Sequence, residues 1–146
     1  MRIVLDTNVV VSAALFDGPP RPLGRLLRHP RFEVWTSRPL LAELAHVPVR
    51  QKLQRAVAHT GRSPAELVAA YVKQARVVTD AALPLIAFPP DPGDAHVIAA
   101  ARASQARWLV TGDHHLLEAP LDLPCEVLTV AEALLRVHEL LRQSRP

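Results

Sequence analysis

Apolar and polar positions along this chain switch repeatedly between short, wholly apolar runs and stretches of helical period. Ile3-Val4-Leu5 is an apolar run of the kind that forms a parallel strand buried on both faces. Asp6-Thr7-Asn8 closes it and can cap a helix over Val9 to Leu15. After the break at Gly18-Pro19-Pro20 the pattern predicts a short helix over Arg21 to Arg28, then a second strand over Phe32-Glu33-Val34-Trp35. Ser37 opens a helix through Leu44, with Pro39 in its first turn. A helix is predicted over Val49 to His59, ended by Gly61. Ser63-Pro64-Ala65-Glu66 is a capping box with proline at the first helical position, opening a helix to about Gln74. Arg76-Val77-Val78 is a strand candidate, and the Pro-rich stretch from Leu83 to Pro92 reads as a connection.

Asp91-Pro92-Gly93-Asp94 starts a helix that runs to about Ser104. Trp108-Leu109-Val110 is another buried strand, closed by Thr111-Gly112-Asp113 and a turn of helix over His114 to Glu118. Val127-Leu128 is the last strand, and Thr129-Val130-Ala131-Glu132 is a second capping box leading into a C-terminal helix. Strands alternating with helices predict an α/β fold, a mostly parallel sheet between helical layers, as one domain over residues 1–146.

Composition narrows the class. With 49% apolar and 21% charged residues, the chain is globular rather than disordered. No apolar run approaches the roughly 20 residues that span a bilayer, so no membrane partner is expected. The opening reads as a strand and not a signal peptide, and Cys125 has no internal partner for a disulfide; a reducing cytoplasm is the expected compartment. Net charge is +3, from 17 cations, all Arg except Lys52 and Lys73. If four acids converge on one site, the rest of the molecule sets those 17 cations against ten acids, a surface that suits a polyanion.

The candidate chemistry lies in those four acids. Asp6 and Asp113 follow predicted strands, where open parallel sheets bind ligands. Asp94 shares a helical stripe with Val97, Ile98 and Ala101. Glu43 shares one with Leu40, Leu44 and Val47, which turns it toward the interior or its rim. Carboxylates facing a core are costly unless paired or bound to metal. Oxygen-only ligation suits Mg²⁺ or Mn²⁺, which can activate water and clamp a phosphodiester.

Four segments in order carry a family resemblance. Residues Ile3-Val4-Leu5-Asp6-Thr7-Asn8-Val9-Val10-Val11-Ser12 resemble the opening of PIN-domain nucleases, and Ser37-Arg38-Pro39-Leu40-Leu41-Ala42-Glu43-Leu44 looks like their second motif. Asp91-Pro92-Gly93-Asp94 and Leu109-Val110-Thr111-Gly112-Asp113-His114-His115-Leu116-Leu117 resemble the third and fourth. The chain is most similar in flavour to the toxin-like members related to the VapC toxins. The resemblance implies a PIN-like α/β/α sandwich and an Mg²⁺- or Mn²⁺-dependent endoribonuclease, the toxin of a toxin–antitoxin system. It places Asp6, Glu43, Asp94 and Asp113 as metal-binding catalytic acids, Asn8 as a residue that orients them, and Thr111 as a hydroxyl near the metal. It also implies an RNA substrate, a restraining antitoxin and a homodimer. Ala95 departs from the polar residue that close relatives often carry after Asp94.

Three of the acids also have an ordinary reading. Asp6 fits a helix cap, Asp113 a turn residue, and Asp94 the third helical position behind a cap at Asp91, which is itself an outer-shell candidate. Glu43 has the weakest such reading, because its apolar stripe leaves it no solvent role. His96, His114 and His115 invite zinc, but the chain has no His-Glu-x-x-His and no Cys cluster. A phosphatase of the haloacid-dehalogenase kind would want Asp-x-Asp where this chain has Asp6-Thr7-Asn8. A catalytically inactive PIN-like module that binds RNA or protein is the non-enzymatic alternative.

Overall fold

β-branched and apolar runs too short for a helix form the strands β1 (Arg2–Leu5), β2 (Glu33–Thr36), β3 (Ala75–Val77), β4 (Trp108–Val110) and β5 (Glu126–Leu128). The computed structural model describes residues 1–15, 20–46, 58–79, 92–118 and 125–143. Among these the strands make one sheet in the order β3-β2-β1-β4-β5, and every neighbouring pair is parallel. Ile3 is in register with Val34 on one side and with Trp108 on the other, so β1 is central.

Parallel neighbours need crossover connections, and the helices supply them. They are α1 (Thr7–Leu15), α2 (Pro20–Leu26), α3 (Arg38–His46), α4 (Pro64–Val72), α5 (Pro92–Ala103), α6 (His114–Glu118) and α7 (Val130–Arg142). Both predicted capping boxes are present: Ser63 and Thr129 accept from the Glu66 and Glu132 N–H groups, and each Glu side chain answers the cap. Those bonds hold the Glu66 and Glu132 carboxyls below their usual range. Gly61 lies in the left-handed region at φ 65°, where glycine carries no Cβ penalty, just past the helical residues Ala58 and His59. The rest of the helix predicted over Val49 to His59 falls outside the described residues, as does most of the Pro-rich connection.

Strand alternation divides the core in two. Ile3, Leu5, Trp108 and Val110 face a cluster completed by Val9, Leu23 and Val137 from α1, α2 and α7. Val4 and Leu109 face the opposite cluster, with Val97 and Ile98 from α5 and Leu116 from α6. This is the expected α/β/α layering. α3 serves both sides, sending Leu44 to the first cluster and Leu40 to the second. No helix of the described residues is long and apolar enough to cross a membrane.

Leu109 is fully buried under α5 in the middle of β4. Leu109→Ala is expected to cost about 2–5 kcal/mol, from lost transfer energy plus the cavity left behind. Urea unfolding should register it as a lower midpoint at unchanged slope.

Candidate active site at the carboxyl edge of the sheet

In this strand order the connections from β1 build the sheet toward β2 and β3, while β4 and β5 lie on the other side of β1. The carboxyl ends of β1 and β4 therefore flank the switch point, where adjoining connections diverge and leave a crevice. Asp6 follows β1 and Thr111 follows β4. The Asp6 N–H extends the ladder by donating to the Val110 carbonyl at 2.9 Å, which fixes its backbone beside β4.

The two strand ends are then linked through one hydroxyl. Thr111 Oγ1 donates to Asp6 Oδ2 at 2.6 Å and accepts the Asp113 N–H at 3.0 Å. Thr111 is fully buried, so its only hydroxyl proton is held in place away from competing water. The cap role of Asp6 is carried by its main chain: its carbonyl accepts from Val9 and Val10 at 2.9 and 3.1 Å, while its carboxylate turns to Thr111. Asp113 has a structural role as well. Its Oδ1 accepts the His115 N–H at 2.9 Å, and its carbonyl accepts from Leu116 and Leu117 at the start of α6. A carboxylate has about four lone-pair sites, so this cap does not exhaust it as a ligand.

Asp94 sits in the first turn of α5, buried at 7% exposure on the predicted stripe with Val97, Ile98 and Ala101. α5 packs on β1 and β2 and returns the chain to the start of β4, so its first turn lies at the carboxyl edge. A helix N-terminus favours an anion there.

Glu43 is exposed. This corrects the expectation that its apolar stripe leaves it no solvent role: it stands at the rim of the stripe and not in the interior. At about 100° per residue Glu43 lies about 60° from Leu40 and about 100° from Leu44, whereas those two lie about 40° apart. The two leucines take the core and leave the glutamate at the stripe's edge. Val47, the fourth member of that stripe, and Asp91 fall outside the described residues. Asn8 is exposed in the first turn of α1.

The structure thus ties Asp6 to Asp113 through Thr111 and puts Asp94 and Glu43 on α5 and α3, which touch each other. Among the described residues, no group of three or more His, Cys, Asp or Glu side chains is placed to hold a metal ion. The donor set still fits a hard divalent cation in kind: carboxylate and hydroxyl oxygens, with Asp94 buried and Asp6 held in orientation.

Other hydroxyls stand at this edge that the sequence reading treated only as strand ends or helix starts. Thr36 ends β2, Ser37 follows it and Thr7 follows Asp6; all three are buried. Ser37 Oγ accepts the Leu40 N–H at 3.4 Å, a weak version of the predicted cap. Thr7 Oγ1 is buried and has no hydrogen-bond partner among the described residues, a rare condition for a buried hydroxyl. Their signal was position: each stands at or just past the end of an apolar run, as Thr111 does.

Comparison with protein families matches residues 2–115 to a model described as PIN domain. Among solved structures, a chain of "Crystal structure of VapBC2 from Rickettsia felis bound to a DNA fragment from their promoter" is similar at a TM-score of 0.61 and 17% identity, covering 88% of this chain and 98% of that one. At that identity the likeness speaks to the fold. The comparison with curated proteins finds no match.

Proposed function

This chain belongs to the PIN-domain family, and from that premise we propose that it is a metal-dependent endoribonuclease, the toxin of a toxin–antitoxin pair. The observation that carries the reading is the Asp6–Thr111–Asp113 linkage at the switch point, with buried Asp94 at the same edge. In this proposal Asp6, Glu43, Asp94 and Asp113 hold Mg²⁺ or Mn²⁺. A hard divalent ion in such a set supplies charge neutralisation and Lewis-acid chemistry at a phosphodiester.

The chain's own residues have separable tasks. Thr111 orients the Asp6 carboxylate and ties the Asp113 main chain to it. Asp94, packed into the α5 stripe, holds its carboxyl group where bulk water is excluded. Glu43 at the exposed rim closes the set from α3, and Asn8 and Asp91 lend outer polar support. The basic sequence, with a pI near 9.7, draws an RNA strand toward an acidic edge. Likeness to a chain of the VapBC2 complex supports an antitoxin partner, and a homodimer and a cytoplasmic setting belong to the same proposal.

The acids' separation on four elements, with Glu43 exposed, favours a second reading: a PIN-like module that binds RNA or protein without cutting. Incubating the protein with single-stranded RNA and Mg²⁺ or Mn²⁺, then with chelator, separates the two. Cleavage that stops on chelation is the expected result. RNA that is retained but never cut, whatever the metal, would sink the nuclease reading.

A further inference from the structure

At the opposite edge of the sheet the chain forms a cleft of about 480 Å³, within the range of small-ligand pockets. Its wall is apolar where it meets the core: Phe32, Trp108 and Leu140 line it, and the two rings are buried at 6% and 3% exposure. Three arginines, Arg31, Arg107 and Arg136, line the same cleft. They come from the residues before β2 and β4 and from the middle of α7, so the fold converges them from three elements.

Two of the three are anchored. Arg31 Nη1 donates to the Leu140 carbonyl at 2.8 Å, near the end of α7, and Arg136 pairs with Glu126. Arg107 is different. It is exposed, and among the described residues its guanidinium makes no hydrogen bond or ion pair. Glu139 also lines the cleft and opposes an anion, so the balance is three cations against Glu126 and Glu139. A planar fork beside an aromatic wall, with neighbouring cations already held in place, suits a phosphate that carries a flat or apolar body.

We propose that this cleft binds a phosphate group, with Arg107 as its principal ligand, either on a free mononucleotide or within an RNA strand. The site lies at the amino edge of the sheet, away from Asp6 and Asp113, so it stands or falls independently of the nuclease reading.

NMR titration of the Trp108 indole N–H tests it, with inorganic phosphate, adenosine 5′-monophosphate and a short single-stranded RNA as probes. The RNA arm uses the Asp94→Asn protein so that the strand stays intact. Saturable shifts are expected, with Arg107→Gln weakening binding on the order of tenfold and Glu139→Gln strengthening it severalfold. Shifts with the small probes identify a nucleotide site, and shifts with RNA alone identify a strand contact. Equal binding by wild type and Arg107→Gln, or no probe shifting Trp108, would overturn the proposal. Both substitutions are at exposed side chains, and an unchanged melting temperature establishes that each variant is folded.

Discussion

Asp94→Asn is expected to lower metal-dependent RNA cleavage by at least a hundredfold while leaving the metal-free protein about as stable as before. The first half follows from the role proposed for the carboxylate. A ligand that neutralises charge on a reacting phosphodiester is worth several kcal/mol, and about 3 kcal/mol is already a hundredfold in rate. The second half follows from burial. Asp94 is buried on a stripe whose other members are Val97, Ile98 and Ala101, and Asn keeps its shape while removing a charge from that setting. A purely structural acid would behave in reverse, losing stability and sparing cleavage. The decisive measurement pairs single-turnover cleavage with thermal melts at increasing Mn²⁺. Wild type should gain melting temperature by mass action and the variant should not. Equal cleavage by the two proteins would remove Asp94 from the site.

The same logic ranks the other acids. Asp6→Asn should match Asp94→Asn in cleavage, because Asp6 stands at the switch point and its Oδ2 is already oriented by Thr111. Glu43→Gln should cost less, since an exposed side chain at the rim of α3 leaves room for water to take its place.

How far the sequence reaches is clearest in these acids. Asp6 and Asp113 were legible because strand ends are legible: three-residue apolar runs bounded by polar residues have few other uses in a chain of this class. Asp94 was legible through periodicity, and its stripe is buried as the pattern required. Glu43 was only half legible, because a stripe spanning two turns has an edge, and which member takes it depends on what packs against the helix. Here α3 divides its leucines between two core clusters, a tertiary fact that no local pattern contains. Strand order was not legible either. Alternation of strands and helices requires a parallel sheet, but that β4 adds beside β1 rather than beyond β3 is decided by long-range packing. The capping boxes at Ser63 and Thr129 sit at the other extreme: their bonds run between residues three apart, so sequence and structure agree to the residue.

Thr111→Val should separate orientation from ligation. Valine matches threonine in shape and stays compatible with a fully buried position at the end of β4, but it removes the hydroxyl that donates to Asp6 and accepts from the Asp113 N–H. Two half-buried partners lose their bond at once, so stability should fall by about 1–3 kcal/mol. All four carboxylates remain. If Thr111 acts by holding Asp6 in its productive rotamer and fixing the turn that carries Asp113, metal affinity should drop by about 10–100-fold, the usual effect of removing a group that orients a ligand. Cleavage at saturating metal should then recover in part, which loss of a ligand itself would not allow. Thr111→Ser restores the hydroxyl without the methyl, and it should return metal affinity to near wild type even if stability stays reduced. Should Thr111→Val bind metal as tightly as wild type, the hydroxyl bridge belongs to the fold alone, and the orientation of Asp6 must come from its backbone bond to Val110.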